Sequence, residues 1–144
     1  ILEIAGSGSY EENMRQQIQS KNLQHRVILS GLLKQEQIPE FWERQDIMIT
    51  CSEKEGHSIS QVEAMASGAV PVITDTSGAR DDVNDGYNGY VVGVGQIEEL
   101  VDKIMYLSAH REKLTQMGKN AYETIKMRSG QPDLIEEFLE MQAR

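Results

Sequence analysis

Apolar residues never run on for long in this chain. No stretch approaches the ~20 consecutive apolar residues that a membrane-crossing helix needs. The opening residues carry no secretory pattern. Cysteine occurs once, at Cys51, so no disulfide can form within the chain, and no Cys/His spacing suits zinc. Cys51 follows an apolar run and is expected to be a small buried residue closing a strand. Positive charge is scarce: 14 Lys plus Arg stand against 23 Asp plus Glu, a net charge of −9. General nucleic-acid binding calls for a basic face, and anionic lipid surfaces call for the same, so both are disfavoured. These features fit a reducing cytoplasm, with a peripheral seat at the membrane left open for a longer protein.

Several chemical motifs are missing as well. There is no phosphate-loop Gly-Lys-Ser/Thr, no Gly-x-Ser-x-Gly and no His-Glu-x-x-His. His25, His57 and His110 are scattered and suggest no metal site. Gly6-Ser7-Gly8 stands between a predicted strand and a predicted helix, as a dinucleotide fingerprint would, but Glu11 occupies the place of the third glycine. A carboxylate there would face a pyrophosphate badly, so this is read as a tight strand-to-helix turn. No internal repeat, low-complexity tract or linker appears.

What is present suits an ordinary folded domain. The 144 residues are 39% hydrophobic and 26% charged. One domain is expected, burying about 68–70% of its unfolded surface. The chain opens Ile1-Leu2-Glu3-Ile4-Ala5, without Met and already inside an apolar run, which is expected of a piece of a longer protein. Strands are predicted at Leu2–Ala5, Val27–Ser30, Asp46–Thr50, Ala69–Thr74 and Tyr90–Val92. Helices are predicted at Tyr10–Lys21 (Ser9 as N-cap, Asn22 as stop), Gln35–Arg44 with its regular part from about Pro39, Ile59–Ser67, a short turn Ser77–Val83, Ile97–Leu107, about Arg111–Lys126 and about Asp133–Gln142. Ile38, Phe41 and Trp42 should face inward. Asp85-Gly86 and Asn88-Gly89 are turn signals. Short apolar strands alternating with helices predict an α/β fold: a Rossmann-like, mostly parallel sheet of about five strands, helices on both faces and a helical C-terminus. Ligands bind such sheets beyond the carboxyl ends of the strands, so the loops after Ala5, Ser30, Thr50, Thr74 and Val92 should share one rim.

The longest of those loops opens the stretch Ser52 to Ile73. It carries Glu55-Gly56-His57-Ser58 into the helix from Ile59, with Glu63 inside that helix and eight positions after Glu55. A helix N-terminus offers unpaired N–H groups and a partial positive charge, enough to hold a phosphate without a basic side chain. Gly56 and Ser58 keep the backbone accessible. A carboxylate at Glu63 could accept from vicinal ribose hydroxyls, and Glu55 from another hydroxylated ring. Spacing alone leaves open that both are ordinary solvated carboxylates.

The wider pattern resembles a known family. Glu55-Gly56-His57-Ser58 through Glu63-Ala64-Met65-Ala66-Ser67-Gly68-Ala69-Val70-Pro71-Val72-Ile73 is similar to the Glu-x7-Glu signature of retaining glycosyltransferases with two Rossmann-like domains (the GT-B fold, family 4 type). Leu2-Glu3-Ile4-Ala5-Gly6-Ser7-Gly8, Val27-Ile28-Leu29-Ser30-Gly31, Asp46 to Ser52 and Asp85-Gly86-Tyr87-Asn88-Gly89-Tyr90-Val91-Val92 resemble further blocks of that family, in its order. The resemblance implies a C-terminal, donor-binding domain. Glu55 would bind and orient the transferred sugar as the catalytic-site carboxylate. Backbone of Gly56, His57, Ser58 and Ile59 would meet the diphosphate and sugar. Glu63 would bind the ribose, and Gly31 with Leu33 would flank the base. A nucleotide-diphospho-sugar, a UDP-sugar by preference, would be a substrate, with no cofactor and no metal. The departing phosphate could assist the acceptor's deprotonation.

Two positions depart from the family's form: His57 stands for an aromatic residue and Ser58 for glycine. His57 is expected to fill the aromatic position, with a hydrogen bond to phosphate or sugar as the other reading. The family's Arg/Lys pair, an earlier central strand and the acceptor-binding N-terminal domain are not in this sequence. The isolated chain is therefore expected to be catalytically inert, with a gap between two strands unless they close up or another chain fills it. Three other readings stand beside this one: a sugar-nucleotide epimerase of the same architecture, a non-catalytic binding module, and a receiver-like or dinucleotide domain. The last is disfavoured by Glu11 and by the Glu55–Glu63 pair.

Overall fold

Among the described residues five short strands form, and every pairing among them is parallel. In this computed structural model residues 1–128 are described. The helix expected at Asp133–Gln142 lies outside them. The chain divides into two compact units, Ile1–Ile38 and Pro39 onward. The five strands divide with it: β1 (Leu2–Ala5) pairs with β2 (Val27–Gly31), while β3 (Ile47–Thr50), β4 (Val70–Thr74) and β5 (Tyr90–Val92) form a second ladder with β4 in the middle.

In the first unit, α1 (Glu11–Ser20) connects β1 to β2. Ser9 is not its cap. Glu11 N–H donates to the Gly8 carbonyl at 3.1 Å, which closes the turn early and places Tyr10, not Ser9, at the N-cap without any side-chain bond. Glu11 and Glu12 occupy the first turn, where their charge suits the helix dipole. The predicted stop holds: Asn22 has φ 54°, and Leu23 N–H donates back to Ile18 O at 2.9 Å. β1 and β2 meet in register until Ile4, then shift so that Ala5 faces Gly31, and Gly6 N–H donates to Gly31 O at 2.7 Å.

Between the strands β2 and β3, a 3-10 turn at Gln35–Gln37 leads into α2 (Ile38–Glu43). Pro39 lies in the first turn of α2, where its missing N–H costs no helical bond. Of the residues expected to face inward, Phe41 is buried, while Ile38 and Trp42 are half-buried. Cys51 does not close β3 as a buried residue. The strand ends at Thr50, and Cys51 is exposed where the chain has already turned into the loop.

The second unit is built around β4, whose five residues are all buried. Its side chains alternate between two cores, as a pleated strand requires. Val70 and Val72 join Tyr90, Val92, Leu100, Leu107, Leu114 and Met117 on one face. Ile73 joins Met48, Ala64, Met65, Val91, Ala121 and Ile125 on the other. The first face is covered by α4 (Ile97–Ala109) with the start of α5 (Arg111–Arg128), the second by α3 (Ile59–Ala66) with the later turns of α5. Each fully buried Leu, Ile or Met contributes about 1.5–3 kcal/mol. The turn signal at Asn88 proves to be a structural anchor. Its Nδ2 donates to Asp82 O and Thr124 Oγ1, its Oδ1 accepts from Asn84 N–H, and the side chain is buried.

Two helices meet at a pair of glycines. Gly68, with φ 83°, ends α3, and its carbonyl lies against Gly118 of α5 so closely that a Cβ there would stand 2.4 Å from Gly68 O. Alanine is the better helix former by about 1 kcal/mol. Overpacking against rigid backbone costs about 1–3 kcal/mol. Gly118→Ala is therefore expected to lower the melting temperature; a temperature at or above wild type in thermal unfolding would contradict this packing.

Candidate functional site

The loop from Ser52 to Ser58 leaves the carboxyl end of β3 and is fastened to the segment that leaves β4. Thr74 Oγ1 donates to Ser52 O at 2.6 Å. Ser77 Oγ donates to Glu55 O at 2.8 Å. One residue beyond the second bond the two backbones touch. A Cβ on Gly78 would stand 2.1 Å from Gly56 O and 2.9 Å from His57 N. No side chain fits there, so only glycine at 78 allows the loop to lie this close. The neighbouring exposed residues Asp75 and Arg80 form a two-bond ion pair at 2.9 and 3.0 Å. The hydrogen bond from Arg80 holds the Asp75 carboxyl below the usual carboxylate range.

The fastened loop runs directly into α3. Ser58 is the N-cap in an extended conformation, φ −90° and ψ 112°, and makes no side-chain cap bond. The N–H groups of Ile59, Ser60 and Gln61 point out of the helix start, where the dipole is positive. Ile59 is 73% exposed and Gly56 and His57 are exposed, while Glu55 is half-buried. This geometry suits an anion held by backbone.

Glu63 lies further along α3 and is half-buried. Burial lifts its carboxyl above the ordinary carboxylate range, and a hydrogen bond from the Trp42 side chain works against that rise. The indole N–H is the only donor on tryptophan. Trp42 packs against the core under α3 and meets Phe41 edge-on, with ring centroids 4.9 Å apart. Glu63 is thus held by a rigid partner and keeps acceptor capacity for a further ligand.

The second unit therefore brings together Glu55, Gly56, His57, Ser58 and Ile59 in one loop and helix start, with Glu63 on the same helix. Gly31 and Leu33 belong to the first unit. Gly31 ends β2 with φ 67°, a conformation that favours glycine, and Leu33 is half-buried beside Leu32, which is 78% exposed. Sequence reasoning missed Thr74, Ser77 and Gly78 as the fasteners of the loop. Their only signal was a small-residue run after a strand. It also read Trp42 only as an inward apolar residue, since nothing local marks its N–H as the partner of Glu63. Among the described residues no cluster of three His, Cys, Asp or Glu could hold a metal ion. A cleft of about 770 Å³ lies at the other end of α3, bounded by Asp46, Gly68, Arg111 and Gly118, and holds none of these site residues.

Comparison with known proteins bears on this arrangement. Residues 1–124 match the model of the family described as Glycosyl transferases group 1. The chain is 29% identical over 139 residues to the poly(ribitol-phosphate) alpha-N-acetylglucosaminyltransferase of Staphylococcus aureus strain COL, covering 96% of this chain and 28% of that protein. It is 32% identical over 140 residues to the poly(glycerol-phosphate) alpha-glucosyltransferase of Bacillus subtilis strain 168, covering 95% of this chain and 20% of that protein. A crystal structure of a mutant TarM from S. aureus in complex with fondaparinux, alpha-GlcNAc-glycerol and UDP aligns with a TM-score of 0.82 at 27% identity, over 97% of this chain and 28% of that one. The chain spans 28% and 20% of the lengths of these two relatives. With parallel strands, two covered faces and a family match over all but its last twenty residues, the chain belongs to the group 1 glycosyl transferases.

Proposed function

We propose that this chain is the donor-binding domain of a retaining glycosyltransferase that moves a hexosyl group from a nucleotide-diphospho-sugar, a UDP-sugar by preference, to a hydroxyl acceptor on a glycan, lipid or polyol phosphate. The observation that carries the reading is the loop fastened at Gly78 feeding the open start of α3, with Glu63 held by Trp42 on the same helix. UDP in the TarM complex supports the nucleotide. The relatives are described as alpha-transferases, and an α-linked product drawn from an α-linked sugar nucleotide is net retention.

In this proposal the first-turn N–H groups of α3 and the backbone from Gly56 to Ile59 take the diphosphate, and their fixed dipoles stabilise the charge that grows on it as the sugar departs. Glu63 accepts from the ribose hydroxyls. Glu55, half-buried and fixed through its own carbonyl to Ser77, orients the sugar. The family resemblance alone assigns Gly31 and Leu33 to the base. No protein nucleophile, cofactor or metal enters the scheme; the leaving phosphate takes the acceptor's proton. The acceptor is held by a further domain of a longer protein, which the short span of the relatives covered supports. A cytoplasmic location, with or without peripheral contact at a membrane, belongs to the same proposal. No helix among the described residues is long and apolar enough to cross one.

Calorimetric titration of the full-length protein with uridine, guanosine and adenosine diphosphates tests the base, with tightest binding expected for uridine. Glu55→Ala is expected to reduce transfer by about 10²-fold or more while nucleotide affinity stays within about threefold. Unchanged transfer would remove Glu55 from the reaction and favour a non-catalytic module.

Glu63→Gln should act in two directions. Loss of the charged acceptor weakens nucleotide binding by about 1–3 kcal/mol. A carboxyl held above its unfolded value binds its proton more readily in the native state, so native stability falls as pH rises through the interval between the two values. The glutamine variant lacks that loss. Its melting temperature is therefore expected to exceed wild type at pH 7.5, with the advantage shrinking as pH falls towards about 4.3, the unfolded glutamate value.

Gly78→Ala should displace the loop from its seat. Donor affinity and transfer are expected to fall together by about tenfold or more, since misplacement of this order disrupts positioned groups, with circular dichroism unchanged. Wild-type affinity in that variant would show that the close contact is dispensable.

A further inference from the structure

Among the described residues, two buried side-chain atoms lack a hydrogen-bond partner: Gln61 Nε2 and Asp82 Oδ2. The second lies beside the loop. Asp82 follows the 3-10 turn Ala79–Asp81, and its side chain is fully buried. A buried carboxylate is costly unless it is paired. Its Oδ1 accepts from the guanidinium of Arg128 at the end of α5. Its Oδ2 stands 3.7 Å from His57 Nδ1, beyond hydrogen-bond reach but within ion-pair range. The His57 side chain is 45% exposed. Its backbone is set by the Gly78 contact, and that of Asp82 by Asn88, so neither end of the pair is free to drift.

We propose that Arg128, Asp82 and His57 form a relay in which Asp82 positions the His57 ring, so that protonated His57 meets the diphosphate of the bound sugar nucleotide as a cation. The inference rests on the donor-site reading above. Arg128 and Asp82 cancel, so protonated His57 leaves a net charge of plus one on the trio, beside Gly56 and the positive end of α3. The charged groups on the elements around it are Glu53, Lys54 and Glu55 in the same loop, Glu63 on α3, Arg80 and Asp81 in the turn that carries Asp82, and Glu123, Lys126 and Arg128 in the last turns of α5. Arg80 is engaged by Asp75. With both ring nitrogens protonated, Nδ1–H faces Asp82 and Nε2–H is available to a phosphate oxygen. Asp82 itself does not touch the donor and is a positioning residue. His57 thereby does more than fill the place of an aromatic side chain.

The test is titration of UDP-glucose into the full-length protein by calorimetry between about pH 8 and pH 5.5, the interval in which histidine changes charge. The diphosphodiester of that ligand does not titrate there. Affinity is expected to rise about tenfold as pH falls, the worth of one hydrogen bond to a charged group. His57→Phe keeps the ring volume at an exposed position and should hold affinity flat at the high-pH level. Asp82→Asn keeps an oxygen for Arg128 and should flatten most of the rise without unfolding the domain. A wild-type affinity that does not change with pH, or a His57→Phe profile matching wild type, overturns the relay; weakened binding by Glu63→Gln in the same series would leave the donor site standing. If Glu63→Gln binds UDP-glucose as tightly as wild type across the whole range, the donor-site reading fails and the relay fails with it.

Discussion

Burial of β4 on both faces is the constraint from which the second unit follows. A strand with no solvent face needs a partner strand on each edge and a helical layer on each side, and here β3, β5, α3, α4 and α5 supply them. The alternation of Val70 and Val72 against Ile73 decides which helix covers which core. It also sets where the carboxyl ends of the strands finish, and so where Thr74 can reach the loop that leaves β3. The site is built on the least exposed element of the unit, and its loop is fastened to the end of that element by the Thr74 and Ser77 hydroxyls and the Gly78 backbone contact.

That contact joins packing to electrostatics. The chain carries a net charge of −9, so an anionic ligand gains nothing from its overall field. Attraction has to be local. In the proposed site, fixed N–H dipoles at the start of α3 provide part of it, and they are useful only if the preceding loop stands aside in a defined position. Gly78 secures that position by having no side chain. Trp42 does the equivalent for Glu63, holding a carboxylate that burial makes less willing to ionise and leaving it an acceptor.

The parts of this architecture legible in the sequence are those written in continuous local patterns. Short apolar runs marked all five strands, and a loop of polar and small residues ahead of Ile59 marked the helix start. The resemblance blocks pointed to the family that the comparison then bore out. Features that depend on where two distant segments meet were not legible. Ser9 looked like a cap, but the carbonyl of Gly8 closes the turn first. Cys51 looked like the last residue of a buried strand, but the chain turns outward one residue earlier. Nothing in the sequence singles out Asp82. Its burial depends on Arg128, 46 positions away, and no local pattern records that distance.

The two glycine contacts lie at opposite ends of α3: Gly78 meets the loop that enters the helix, and Gly118 meets the carbonyl that ends it. A helix clasped in this way cannot slide along its axis or rotate by a residue without driving backbone into backbone. It therefore serves as a ruler of fixed length, with Ser58 at one mark and Glu63 at another, and the spacing between the first-turn N–H groups and the carboxylate is determined when the chain folds. The ordering entropy of that spacing falls on folding rather than on binding, so a ligand that matches it meets a surface already at its final dimensions, and one that is longer or shorter finds little that can adjust.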